Sequence, residues 1–292
     1  MAKSDFTLPQ RFKIRALKYI YKNSNSDPFV SGDAISSLCD FCIYEEEDLE
    51  KFEKVEASVN TVFCRSDLVS HLANINASES KTRTLVAGNS DFDFTNKDVL
   101  PLRVFGRFFL QNSMISDCKK IFTLPVGVEN LSIGINGLPK NLVATVSWEE
   151  KSDSILVGPF SPTHESRMTL IEFAKKNPGT FDYNSQRISP KQFGIKMSSH
   201  KYVACPRGNG IDSHRFWETL YRGSVPIVIA SNWSASLAIY KIPFIQVRSW
   251  SDVEMGIDQF ANSNHGVFPT TIEALWIPFW RRLFGNFSVA NS

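Results

Sequence analysis

Residues 202–229 read YVACPRGNGIDSHRFWETLYRGSVPIVI and gather five side chains that could do chemistry: Arg207, Asp212, His214, Arg215 and Glu218. Two guanidinium groups so close together suit a diphosphate, which they can grip with charge-assisted hydrogen bonds. Gly208 and Gly210 let the backbone turn tightly or approach a ligand. Elements that would position these groups can be read around them. Tyr202-Val203-Ala204-Cys205 is short and apolar enough for a buried strand, and Pro206 ends it. Asp212 can cap a helix over 213–222, Gly223 suits its end, and Val225–Ile229 reads as the next strand. Strand, glycine loop, helix and strand make a βαβ unit, whose loop lies where open α/β sheets bind ligands. The free N–H groups and partial positive charge at the helix start favour a phosphate there.

A plainer account of the same residues exists. Arg215–Glu218 and Glu218–Arg222 fit ordinary surface pairs, each worth only about 0.2–0.5 kcal/mol. Basic residues at the front of a helix oppose its dipole, however, and an anion would relieve that conflict. The loop itself is neither a P-loop nor the dinucleotide fingerprint.

The stretch CPRGNGIDSHRFWETLYRGSVPIVI resembles the donor-sugar signature of exostosin-like glycosyltransferases, glycosyltransferase family 47 and its relatives. Pro206, Gly208, Asp212, Arg215, Glu218, Leu220, Gly223 and Pro226 match that pattern. Thr219 and Ser224 stand where the family usually has Ala and Cys. The likeness is specific over about 30 residues, fainter elsewhere, and closer to short virus- or microbe-encoded members than to large animal exostosins. It implies an α/β fold of GT-B type: two Rossmann-like domains facing a central cleft, with a C-terminal helix crossing back to the first. It also implies a nucleoside diphosphate sugar as donor, with UDP-xylose or UDP-galactose favoured, and a glycan or glycoprotein acceptor. By the same likeness Arg207, Arg215 and Arg167 meet the diphosphate, Glu218 accepts from the ribose hydroxyls, and transfer inverts the anomeric carbon. Arg167 enters because family members often carry an arginine early in the helix after the first strand of the donor half.

The resemblance divides the chain into an acceptor half at 1–140, a donor half at 141–265 and a returning helical segment at 266–292. The linker is placed around 130–150, where Gly134, Gly137 and Pro139 interrupt any periodicity. At 292 residues the chain is long enough for two domains, each with its own core. Its 42% hydrophobic and 21% charged composition is that of an ordinary soluble protein. A net charge of +2 makes no broad electrostatic case for nucleic acid or anionic membrane. No apolar run approaches the ~20 residues that span a bilayer, and the basic start lacks the apolar segment of a signal peptide. These features, with five cysteines that suggest no disulfide framework, lead us to expect a soluble cytoplasmic enzyme. Cys39-Asp-Phe-Cys42 reads as two buried thiols on a helix rather than half of a zinc site.

Other candidates lie in loops that follow strands. Asp33, in Ser31-Gly32-Asp33, is a candidate base or acceptor contact and equally a helix cap for residues 34–42. Asp91, after the strand Thr84–Ala87, competes for the base role, with a plain turn as the alternative. Glu129 and Asn130, in the turn after the strand at 120–124, could touch donor or acceptor. Trp233 either stacks on a sugar or is buried. An amphipathic helix is expected over residues 1–24, and a helical face of Leu275, Trp276, Phe279 and Leu283 near the end.

The reaction implied is glycosyl transfer without a cofactor or metal. Arginines and the helix start stabilise the leaving diphosphate, and Asp33 or Asp91 takes the acceptor proton. Asp91-Phe92-Asp93 has only the bare spelling of the metal-binding triplet of GT-A enzymes. A carbohydrate-binding protein derived from a transferase, without turnover, is the main alternative, and a different nucleotide-binding enzyme, such as a sugar-phosphate epimerase, a further one.

Overall fold

The computed structural model describes residues 26–75, 82–115, 119–131, 133, 138, 142, 146–183, 185–186, 188–263, 268 and 271–285. The expected helix over 1–24 and most of the expected linker lie outside them. Ten parallel strands form two sheets of five. The first holds β1 (Phe41–Ile43), β2 (Thr61–Arg65), β3 (Thr84–Gly88), β4 (Arg107–Leu110) and β5 (Ile121–Thr123), side by side in chain order. The second holds β6 (Ser152–Val157), β7 (Phe181–Tyr183), β8 (His200–Ala204), β9 (Val225–Ile229) and β10 (Ile245–Val247). Its spatial order is β10-β9-β8-β6-β7. The architecture is therefore α/β with two parallel sheets of Rossmann-like character. Only the second sheet reverses its winding, between β6 and β8. A reversal sends the two flanking crossovers to opposite faces and leaves a crevice at the strands' carboxyl ends.

Parallel strands are covered on both faces, so nearly every residue is apolar, and the two-residue period sorts them between cores. In the first sheet Phe63, Val86 and Phe109 are register partners facing one way. Their neighbours Val62, Cys64, Leu85, Ala87, Phe108 and Leu110 face an outer core with Phe52 and Leu72. In the second sheet Leu156 and Val203 pair in register. Ile155, Val157, Tyr202 and Ala204 turn to a separate outer core under the helices Glu165–Lys176 and Val253–Ser263. The inward rows of both sheets belong to a single continuous cluster that also holds Trp217, Trp233 and Trp280. Continuity of that cluster holds the two sheets in a fixed relation across the cleft.

The C-terminal helix Ile277–Gly285 lies against the first half. Phe284 meets Phe109 edge-on at 4.9 Å, and the Ile277 N–H donates to the Pro28 carbonyl (2.9 Å). Its buried face is Ile277, Trp280 and Phe284, not the expected Leu275, Trp276, Phe279 and Leu283. Trp276 precedes the helix, half in solvent, because the turn Glu273–Leu275 is a separate 3₁₀ element that resets the phase.

Cys39 and Cys42 do not share a helix. The helix there is only Gly32–Ser36, and Cys42 already belongs to β1. Both thiols are half-buried. Ser31 caps that helix by accepting from the Ala34 N–H (3.2 Å), so Asp33 sits in its first turn rather than at its cap.

Candidate functional site

A cavity of about 600 Å³ opens at the winding reversal of the second sheet. The loop after β6 and the loop after β8 form two of its walls, and Asp91, Val126 and Glu129 reach in from the first half. Arg215 is part of its wall. The Arg215 guanidinium lies between Phe160, 4.4 Å from its ring centroid, and Phe193, at 4.6 Å. One Nη donates to the Pro159 carbonyl (2.9 Å). The other, Nη1, is shielded from solvent and has no partner among the described residues. Burial lowers the Arg215 pKa to about 10, so the group still carries its charge at neutral pH. A cation held by two rings and one carbonyl, with no carboxylate within ion-pair distance among the described residues, puts positive charge on the cavity wall.

Arg167 stands beside it, 5.6 Å from the Phe160 centroid. Its Nε donates to the Arg207 carbonyl (2.9 Å) and its Nη1 to the Ser161 carbonyl (3.0 Å). Burial lowers its pKa as well. Gly208 makes this position possible, since a Cβ there would stand 2.8 Å from Arg167 Nη2. At Gly210 a Cβ would press on the Asn112 amide, 2.7 Å away. The glycine loop is thus shaped by close approach, once to a cation and once to the opposite domain.

Asp212 does not cap the helix. The helix is His214–Tyr221, and Ser213 is its cap residue. Asp212 is buried, and its two carboxylate oxygens accept from the Val126 N–H (2.8 Å) and Trp217 Nε1 (2.8 Å). Its own N–H donates to Asn112 Oδ1 (2.9 Å). Burial raises its pKa to about 7, against the pull of these donors. The side chain fastens the start of the helix to the first half, and both oxygens are already engaged. Arg207 is likewise occupied: Nη2 pairs with Asp93 Oδ2 (2.8 Å) and donates to the Asn209 carbonyl (2.8 Å). Arg207 thus joins the two halves, and it is not among the residues that line this cavity, whereas Arg167 is.

The helix His214–Tyr221 points its start into the cavity, and its first N–H groups lack intrahelical acceptors. His214 lines the cavity, and its Nδ1 donates to the Gly127 carbonyl (2.8 Å), because a carbonyl can only accept. Glu218 lies one turn on and lines the cavity. Burial raises its pKa, and Arg222 and His214 oppose that rise. Asp91 is at the rim, exposed, accepting from Asn209 Nδ2 (3.0 Å). Asp33 is not part of the wall; its N–H donates to Asn130 Oδ1 (3.0 Å). Asp93 turns away from Asp91 to Arg207 and the Ile211 N–H (3.1 Å). Among the described residues no group of three or more His, Cys, Asp and Glu gathers as for a metal ion.

The cavity thus brings together Arg167, Gly208, Gly210, Asp212, His214, Arg215, Glu218, Asp91 and Glu129. Sequence reasoning missed Phe160 and Phe193, the rings that hold Arg215. Phe160 had a signal, lying directly after a strand's carboxyl end; Phe193, inside the helix Pro190–Ser198, had none. Asn89 and Asn112 have positive φ, 58° and 55°, and turn the chain sharply after β3 and β4. Comparison of the chain with protein-family models and with curated proteins finds no match to either.

Proposed function

We propose that this protein is a glycosyltransferase of GT-B type that moves a sugar from a nucleoside diphosphate sugar, a UDP-sugar in the first instance, to a hydroxyl of a glycan. One observation carries the reading: Arg215 is immobilised in a cavity at the winding reversal with an unpartnered Nη1, and Arg167 stands next to it over Gly208. Both cations face the space where a leaving diphosphate gains charge, and the start of the helix His214–Tyr221 adds to them. Glu218, further along that helix, accepts from the ribose hydroxyls. The acceptor oxygen attacks the anomeric carbon, the bond to the diphosphate oxygen breaks, and the acceptor proton passes to a carboxylate. Asp91 is the better-placed base, since it lines the cavity and Asp33 does not. Arginine charge answers the developing negative charge, and the reading needs no metal or cofactor.

Calorimetry with UDP tests it. Losing one charge-assisted hydrogen bond costs about 1.5–3 kcal/mol, roughly ten- to a hundredfold in affinity. Arg215→Ala and Glu218→Ala are expected to weaken UDP by that factor. Unchanged affinity in both variants, with the fold intact by circular dichroism, refutes the assignment.

A further inference from the structure

One short piece of chain, Pro159-Phe160-Ser161 in the loop after β6, holds both cations of the cavity wall. The Pro159 carbonyl accepts from Arg215 Nη2 (2.9 Å), and the Ser161 carbonyl accepts from Arg167 Nη1 (3.0 Å). Between those two carbonyls in the chain is Phe160, whose ring centroid lies 4.4 Å from Arg215 Cζ and 5.6 Å from Arg167 Cζ. All five residues line the cavity. The arginines arrive on different elements, the helices Glu165–Lys176 and His214–Tyr221, so the loop is their common support. Sharing one ring, their Cζ atoms stand no farther apart than the two centroid distances together.

Like charges gathered in this way repel. Burial lowers the Arg215 pKa to about 10, and the Arg167 charge is a smaller contribution in the same direction. Among the described residues neither guanidinium has a carboxylate within ion-pair distance. A carboxylate there would steady the arginines but cancel the charge they offer. A phenyl face attracts a cation through its quadrupole and carries no net charge, so it fixes a guanidinium without neutralising it. Two carbonyl dipoles act in the same sense. The result is a pair of separately anchored positive sites at a short spacing, which matches two phosphoryl groups joined through one oxygen. We infer that Phe160 is a positioning residue, whose ring sets Arg215 and Arg167 so that each meets one phosphoryl group of a diphosphate. That the diphosphate belongs to a nucleotide rests on the glycosyl-transfer reading; the shared hold on two cations does not.

Calorimetry of UDP and UMP with the full chain tests the inference. The parent is expected to favour UDP. Phe160→Leu keeps the apolar bulk and loses the ring, which frees two side chains that binding must then order. It is expected to weaken UDP by about three- to tenfold and UMP by less, so that the ratio moves towards one. Mono-, di- and trifluorinated phenylalanine at position 160 drain the ring face in steps at nearly constant volume. UDP affinity should fall with each step, a trend that a merely space-filling ring would not give, and this series decides the matter if the leucine variant does not fold. Equal weakening of UDP and UMP overturns the inference, as does a flat response to fluorination. If the parent fails to bind UDP, the transferase reading falls. Inorganic pyrophosphate against phosphate, with the same chains, then still decides whether the ring sets two cations on a diphosphate.

Discussion

Replacing Asp212 by Asn tests the contact that ties the glycine loop to the opposite half. The carboxylate accepts from Val126 N–H and Trp217 Nε1, and an amide has one oxygen for two donors. One N–H would then face an NH₂ group, at a cost of about 1–3 kcal/mol. The carboxylate carries its own penalty, because burial raises its pKa from 3.8 to about 7. Folding therefore binds a proton between those values. The stability associated with the protonated group is complete below the unfolded pKa and is lost as pH rises through the folded one. Over that interval the loss is on the order of 4 kcal/mol. Asn does not ionise and escapes it. Urea unfolding of both proteins at about pH 4 and about pH 9 should give a variant that gains roughly 4 kcal/mol on the parent across the range. Parallel pH profiles for the two chains would refute the reasoning, since every other titrating group cancels in the difference.

Further outcomes follow from single contacts. Tyr221→Phe removes the hydroxyl that accepts from the buried Val30 N–H (2.9 Å) and donates to the Leu275 carbonyl; thermal unfolding should show a loss of about 1–3 kcal/mol. Gly127 has φ +64° and would place a Cβ 2.1 Å from the Val30 carbonyl oxygen, so Gly127→Ala should cost at least about 1–2 kcal/mol by chemical denaturation. Gly208→Ala displaces only the end of the Arg167 side chain; UDP affinity should fall by about tenfold while the melting temperature hardly moves. Asp91→Asn should cut transfer by about a hundredfold or more, as loss of a general base does, and Asp33→Asn should leave it near the parent rate in the same transfer assay.

Much of the second sheet is visible in the chain because its elements are marked by strong local rules. The strand before Pro206 and the run VPIVI each combine an apolar pattern with a clear stop, and each is within two residues of where the pattern puts it. Glu218, Arg215 and Arg167 reach one cavity because two loops end at neighbouring strands, which the βαβ reading already implies. What local rules do not carry is the choice of partner across the cleft. Asp212 has the residue type and position of a helix cap, yet the Val126 N–H and the Trp217 indole hold it from two domains. Arg207 also pairs with Asp93, more than a hundred positions earlier and 2.8 Å away, a contact that no local rule announces. Cys42 was assigned to a helix because its neighbours are compatible with either state, and pairing with β2 decides for a strand.

The same contacts bear on how the site works. Residues 207–214 bind the first half through Arg207–Asp93, Asn209–Asp91, Ile211–Asp93, Asp212–Val126 and His214–Gly127. This segment also builds the start of the helix and the backbone beneath Arg167. Anything that loosens the two halves must therefore disturb the groups that line the cavity, and under the proposed function a bound diphosphate should steady the halves. Linkage makes the effect reciprocal: weakening the contact through Asp93→Ala should lower UDP affinity, and saturating UDP should offset part of the stability that Asp93→Ala loses. Thermal unfolding of parent and variant with and without UDP measures both directions. A variant with lower stability but the parent's UDP affinity would separate the interdomain contact from the site and break this link.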